Sequence, residues 1–469
     1  MADKESSEES SELDRRTFLK GAGAVLAAGA APPFLRPQTG RPEWSRGAGR
    51  GQADRSIAVT HGVAVGDVSA ERALIWCRGS GEGRMQVVFG DDAQRVAAGR
   101  SRHSRSIPLT AERDFIGQLQ LEGLEPGRRH HYRVLLKNRG AKAASVPASF
   151  TTPPPPDRSA SVRFAWGGDT GQGMANRPPF PAFSSIADES PAFFVFNGDT
   201  IYADSTTPVG GAAKTVPQYW AKYKENRVDP HLQRLLATTP VVANWDDHEV
   251  TNDFRGPTEP LMPLGNRAFH DYWPLSVGPE RIYRSLRWGR EVEVFVLDTR
   301  QYADPLEAPD GPAKSLLGEE QRAWLAKGVA DSDATWKVLV TSSPLSIIRS
   351  DDPHQDDWVA YEHELGTLLS GWRAAGVNNL VWLTCDVHWA QSISYPEWGM
   401  WEFVGCPIGA NPRRAPRPLS PTFGPRERFL GLNQRYYGSV AVDAPARTMT
   451  VDLKLQDGTL MHREVIAAV

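Results

Sequence analysis

The chain has 469 residues, enough for two or three domains with sizeable cores. It is 40% hydrophobic and 23% charged, and 53 basic residues set against 56 acidic ones leave a net charge of −3. This balance describes an ordinary globular protein and shows no nucleic-acid footprint, while three cysteines exclude a disulfide scaffold.

At the amino terminus, Arg15-Arg16-Thr17-Phe18-Leu19-Lys20 precedes the weakly apolar Gly21–Ala31. This run resembles a twin-arginine export signal and is too short to span a bilayer, which needs about 20 apolar residues. No other stretch is long and apolar enough for a transmembrane span. Residues 1–35 are therefore read as the signal and 36–55 as a linker. The expected partner is the twin-arginine translocase, and the expected location is periplasmic or extracellular.

From 56 to 152 the pattern is all-β. Ala73–Cys77, Met85–Phe89 and His131–Leu135 are short strand-like runs separated by Gly, Pro and Asp turns. Gly123–Tyr132 resembles the proline turn of fibronectin type III or Ig-like sandwiches. Thr151-Thr152-Pro153-Pro154-Pro155-Pro156-Asp157 reads as a stiff connector. From 161 to 469 strands alternate with helical stretches at Ala182–Ala187, Gln218–Leu236, Leu317–Lys327 and Tyr361–Ala375. Gly438–Asp443 and Met449–Lys454 form a closing hairpin. The alternation predicts a layered α/β domain, its sheets flanked by helices, after an all-β sandwich domain.

Six buried strands in this second part end on polar residues. Val162–Trp166 leads to Asp169, Phe193–Phe196 to Asp199 and Tyr202, and Val241–Trp245 to Asp246-Asp247-His248. Val294–Leu297 leads to Asp298 and Arg300, Val338–Val340 to Thr341–Ser343, and Leu380–Cys385 to Asp386 and His388. Ligands in layered folds gather at strand ends, and six of them rich in Asp and His point to metal. Asp199 can bridge two hard cations, and the Tyr202 phenolate suits ferric iron; a Gly-Asp turn with a packed Tyr is the plainer alternative. Adjacent Asp246 and Asp247 repel unless a cation offsets them. His248 can give a proton to a leaving group. Asp386 and His388, at i and i+2, share one side of an extended segment and suit divalent or ferric first-row metals. Arg300 can grip a phosphate oxygen bidentately, or pair with Asp298 or Asp304.

Gly198-Asp-Thr-Ile-Tyr-Ala-Asp204, Asn244-Trp-Asp-Asp-His-Glu-Val250, Leu297-Asp-Thr-Arg-Gln-Tyr302, Leu317-Gly-Glu-Glu-Gln321 and Cys385-Asp-Val-His388 resemble, in order, motifs of the alkaline phosphatase D family. The resemblance covers about 161–440, and extends to the β domain and the export signal. It implies a binuclear metallophosphoesterase that acts on phosphate esters and has an iron site similar to that of purple acid phosphatases. By the resemblance, Asp169, Asp199, Tyr202 and His388 hold Fe3+. Asp199 bridges to a divalent cation (Ca2+, with Zn2+ or Mn2+ as alternatives) that Asp247 and Asp386 also bind, with Asn252 as a further contact. His248 is then the proton donor and Arg300 the phosphate clamp. A hydroxide bridging two cations would attack phosphorus in line.

Members of that family commonly carry a cysteine ligand two residues before the first Asp, in a Ser-Cys pair. Trp166 and Gly167 stand there in this chain, which makes Gly167–Gly173 similar to a cysteine-free branch. Phosphomonoester hydrolysis is the expected activity. Phosphodiesterase or phospholipase D-like activity is the alternative, and a non-catalytic cell-surface binding protein is the third reading. Cys77 is expected as a small buried residue, and Cys385 and Cys406 could meet in space. Trp245, Trp389, Trp398 and Trp401, with Arg413 and Arg414, are core or pocket lining.

Overall fold

A computed structural model of the chain describes residues 56–171, 173–348 and 358–469. The twin-arginine segment and the linker lie outside the described residues.

Two sheets face each other in the carboxy-terminal part. One has nine strands, in the order Leu460–Ala467, Thr448–Leu455, Tyr436–Asp443, Val162–Gly167, Phe194–Asn197, Val241–Asn244, Val59–Gly66, Arg72–Gly79 and Ile116–Glu122. The other has seven, in the order Arg284–Trp288, Val292–Val296, Trp336–Val340, Leu380–Thr384, Met400–Gly405, Ala390–Tyr395 and Arg426–Gly431. Strand alternation decides the layers. Phe164, Trp166, Val195 and Val242 point inward against Val294, Val338, Val381 and Phe403 of the facing sheet. Their neighbours Ala165, Phe194, Phe196 and Ala243 point outward, under helices Pro181–Asp188, Val216–Arg227, Pro230–Thr238 and Met262–Tyr272. The seven-stranded sheet likewise packs Phe295, Leu339 and Trp382 under helices Gly318–Asp331 and Glu362–Ala374. The result is the expected pair of sheets flanked by helices.

Several elements differ from the sequence reading, among them strands Arg284–Trp288, Ala390–Tyr395, Met400–Gly405 and Arg426–Gly431, which it did not name. Gln218–Leu236 is two helices, because Asp229 caps the second through its carboxylate to the His231 and Leu232 amides, and Pro230 occupies its first turn. Helix Met262–Tyr272 and strand Leu460–Ala467 were not expected; the latter is a half-exposed edge strand without a continuous apolar face.

In the amino-terminal module, the three strands Val59–Gly66, Arg72–Gly79 and Ile116–Glu122 pack on a second sheet built around Gly83–Gly90 and Arg129–Lys137. The first of these sheets is a continuation of the nine-stranded sheet, since Gly66 pairs in parallel with Val241 and the Asp67 amide donates to the Val241 carbonyl at 3.2 Å. Gly66 is required there: a Cβ would lie 2.7 Å from the Pro274 carbonyl oxygen and 3.0 Å from that of Val241. Two buried ion pairs fasten the join. Arg284 grips Asp67 bidentately at 2.7 and 2.8 Å, and Asp114 accepts from Arg78, Lys224 and the Tyr272 hydroxyl. Between them, the buried guanidinium of Arg227 lies 4.4 Å from the Trp76 ring and 4.2 Å from the Trp273 ring.

Candidate metal centre

The parallel register brings the strand ends level. Asn197 pairs with Asn244, and Gly167 with Phe196. Just below the ends, two asparagines stitch the sheets together. The Asn197 side-chain amide donates to the carbonyls of Thr341 and Leu383, and that of Asn244 donates to Leu297. Beyond them the chain turns sharply. Asp169, Asp199, Asp386 and His388 all have left-handed backbone, with φ of 58°, 49°, 70° and 63°. That conformation costs a non-glycine residue on the order of 1 kcal/mol, and four such residues in one cluster mark a built site.

Ligand-type atoms of Asp169, Asp199 and His388 lie within 4.8 Å of one another, and so do those of Asp199, Asp247 and His248. Asp199 therefore belongs to two adjacent groups. A third group joins Asp246, Asp247 and Asp386. The Tyr202 hydroxyl is 3.0 Å from His388 Nε2, which is 3.3 Å from an Asp169 oxygen. His388 Nδ1 lies 2.9 Å from the Asn411 carbonyl. A carbonyl only accepts, so Nδ1 carries the proton and the Nε2 lone pair faces the cluster, the tautomer a metal-ligating histidine needs.

The electrostatics are those of a site built around positive charge. Burial, then the charges of Asp247, Asp169, Asp246 and Glu249, push the Asp199 carboxyl well above its usual range. Burial, then Asp199 and Asp169, push the Tyr202 phenol up. Neither carboxylate oxygen of fully buried Asp199 accepts a hydrogen bond. Orphaned buried carboxylate oxygens between two ligand groups fit cations.

His248 stands beside this cluster, its ring 4.2 Å from that of Tyr202. Both oxygens of Asp204 approach its Nδ1, at 2.8 and 2.9 Å. Burial alone would depress the imidazolium, but Asp247, the Asp204 hydrogen bond and the Asp204 charge outweigh it and raise it to about 9.

Arg300, expected as a phosphate clamp or an ion-pair partner, engages a carboxylate of the cluster. It is fully buried, and its Nε donates to Asp246 Oδ1 at 2.5 Å. The same Asp246 oxygen accepts from the Ser342 hydroxyl at 2.8 Å. The guanidinium supplies the counter-charge that buried Asp246 needs, and its Nη2 lies 4.0 Å from an Asp247 oxygen. The side-chain amide of Asn252 donates to the Asp253 carboxylate.

Glu249 is the residue the sequence did not single out. Its fully buried carboxylate accepts from the backbone amides of Asp199, Thr200 and Asp246 at 3.2, 2.5 and 2.9 Å, and from the Thr200 hydroxyl at 2.6 Å. One side chain thus fixes the backbone of two strand ends. The adjacent Asp-Asp-His drew attention away from it.

At the first strand end, a Cβ on Gly167 would lie 2.8 Å from the Ile408 side chain, so a side chain at 167 would have to displace Ile408. Cys385 and Cys406 are free and buried, and their sulfurs do meet, within 4.8 Å of each other and of an Asp169 oxygen. Cys77 is buried in the module core. Trp245 donates to Asp298 and Trp389 to Gln391, Trp398 meets Phe423 edge-on, and Trp401 stacks on Phe403 while also bordering a groove with Tyr395 and Met400. Arg413 and Arg414 are exposed, and the Arg413 amide donates to the His388 carbonyl.

Comparison with known proteins gives the family and the fold. Residues 164–453 match the PhoD-like phosphatase family, 45–154 match the PhoD-like phosphatase N-terminal domain, and 12–32 match the twin-arginine translocation signal sequence. Alkaline phosphatase D of Bacillus subtilis (strain 168) is 26% identical over 457 residues, covering 83% of this chain and 74% of that protein. The solved structure of PhoD superposes with a TM-score of 0.72 at 21% identity, covering 87% of this chain and 92% of that one. The purple acid phosphatase PPD1 of yellow lupin (Lupinus luteus) does so with 0.63 at 14% identity, covering 87% and 74%. This chain belongs to the PhoD-like phosphatase family; it is a phosphatase, exported by the twin-arginine route.

Proposed function

We propose that this PhoD-like phosphatase hydrolyses phosphate monoesters at a two-metal centre. Asp169, Asp199, Tyr202 and His388 would hold Fe3+, and Asp199 would bridge to a divalent cation, Ca2+ by preference, shared with Asp247 and Asp386. The observation that carries this reading is Asp199: it is common to two ligand groups, and neither of its oxygens has a hydrogen-bond donor. When bound, the ions would supply charge neutralisation and an activated water for attack on phosphorus. The protein's own part is mainly placement. Asp204 holds His248 by Nδ1, leaving Nε2 free to protonate the leaving oxygen, and Arg300 keeps Asp246 in place. Within this reading 1–35 is the signal, 36–55 a linker, 56–152 the β-sandwich and 161–469 the catalytic domain.

Phosphodiester hydrolysis is the second reading, and the position of Arg300 favours it. A monoester presents an additional charged terminal oxygen, and the guanidinium expected to hold it is buried against Asp246.

Asp199→Ala tests the centre. Metal analysis should show loss of both ions together with loss of activity, and wild-type turnover would sink the scheme. Assays of p-nitrophenyl phosphate and bis-p-nitrophenyl phosphate side by side decide between the two ester classes. The ferric assignment predicts a visible charge-transfer absorption that Tyr202→Phe abolishes; a band that survives removes Tyr202 from the iron.

A further inference from the structure

The six strands of the module's second sheet are without acidic residues, in a chain where acids outnumber bases. Arg84, Arg129, Arg133, Lys137 and Lys142 face outward. Arg102, opposite the inward Phe89, turns instead to the Glu122 and Gly123 carbonyls, and Arg133 donates to those of Ala97 and Ser145. Along Arg129–Lys137 the alternation is strict: His130, Tyr132, Val134 and Leu136 are buried, while Arg129, His131, Arg133, Leu135 and Lys137 face out. The register then aligns charge. Arg84 lies directly opposite Lys137, and Lys137 directly opposite Lys142, giving three exposed cations in one row across three strands. Like charges directly opposite in a sheet destabilise it. Among the described residues none of the three forms an ion pair; Arg84 donates only to the Ser106 hydroxyl and carbonyl. Glu82 is the acidic residue lining the adjoining groove, which Arg139 also borders.

We propose that this face docks the exported protein on an anionic lipid surface. Helix Ala93–Ala97 covers the far end of this face over Val88, so the exposed charge is the row of three, with cations about 5 Å apart, a spacing that suits the phosphates of a lipid plane. The outward positions of these strands carry no Phe, Tyr or Trp on which the bases of a nucleic acid could stack. Val146, 72% exposed in the segment joining the last two strands, offers an apolar tip that a bilayer interface accommodates and a soluble polyanion does not. None of these residues belongs to the metal cluster, so the proposal stands apart from the metal assignment.

The test is co-sedimentation of the purified full-length protein with vesicles of phosphatidylglycerol and phosphatidylcholine, beside vesicles of phosphatidylcholine alone. The protein should pellet with the anionic vesicles only, and be released as salt rises from about 50 to about 500 mM. The triple variant Arg84→Thr, Lys137→Thr, Lys142→Thr should bind those vesicles about a hundredfold more weakly, with unchanged turnover of a soluble ester. Relief of the aligned charge should leave its Tm equal or higher, which separates lost docking from lost folding. Equal binding by the variant, or equal binding to neutral vesicles, would overturn the proposal. So would retention on long-chain inorganic polyphosphate without vesicle binding, which would identify a polymer as the partner.

Discussion

Asp204 holds His248 by both carboxylate oxygens, at 2.8 and 2.9 Å from Nδ1, while also accepting from the Asn252 amide at 2.8 Å. The imidazole is thereby fixed in orientation, Nδ1–H donating to Asp204 and Nε2 turned away, and the pKa raised to about 9 keeps on Nε2 the proton that an acid must give. Asp204→Ala should lower turnover roughly tenfold to a hundredfold with metal content unchanged. The loss should be largest for esters with poorly acidic alcohols and small for p-nitrophenyl phosphate, whose leaving group needs no proton. His248→Ala should reproduce this leaving-group dependence. A uniform loss across leaving groups, or a loss of metal, would remove His248 from the acid role.

Glu249 makes the next prediction. In Glu249→Gln an amide replaces a carboxylate that accepts four hydrogen bonds, and its NH2 must face at least one backbone donor. Each unsatisfied buried donor costs about 1–3 kcal/mol. Metal retention against a chelator should fall roughly tenfold to a hundredfold as the backbones of Asp199 and Asp246 loosen. Wild-type retention alongside a lowered Tm would make Glu249 a purely structural residue.

Arg300→Met separates a clamp from a counter-charge. Without Arg300, Asp246 is a buried carboxylate lacking its ion-pair partner, a loss worth about 3–5 kcal/mol. Thermal denaturation should therefore show a clear fall in Tm, and Asp246→Asn in the same chain should recover part of it. A raised KM with unchanged Tm is the outcome expected of a phosphate clamp, and it would restore that role.

Two buried histidines make stability depend on pH on the acid side. Burial is the main cause in both: His61 is lowered to about 4, helped by Arg78, Lys224 and Arg227, and His270 to about 4, helped by Arg284. His61 Nδ1 and His270 Nε2 are buried without hydrogen-bond partners. A depressed pKa means the unfolded chain binds the proton more readily. The contribution of these neutral side chains is therefore complete above about pH 6.5 and is lost as pH falls towards 4, on the order of 2 kcal/mol each. Tm should fall over that window, and less steeply in His270→Gln. Equal slopes in the two proteins would contradict this.

Legibility followed the range of the interactions involved. That Asp169, Asp199, Asp247, Asp386 and His388 would come together could be read, because a strand end followed by Asp or His is a local pattern. The partner of Arg300 was not legible, because the choice between Asp246 and a phosphate depends on which way a long side chain turns after its strand, and sequence spacing does not record that. Glu249 was missed for a related reason: its partners, Asp199 and Thr200, lie some fifty residues earlier. The break at Asp229-Pro230 was legible in principle, since a capping residue before proline is a helix-start signal. The pairing of Gly66 with Val241 was not, as nothing near either residue announces the other.

That last pairing has a consequence for any shortened form of the protein. With the amino-terminal module removed at the proline-rich segment, strand Val241–Asn244 would become the border of its sheet, four buried residues long. Its flank would be bare where Val59–Gly66 now meets it, and Asp67 and Asp114 would no longer engage Arg284, Lys224 and Tyr272. An open strand flank of this kind recruits other chains. Beyond any contact of its own with the surroundings, the module thus acts as a stopper that keeps one molecule's sheet from growing into the next.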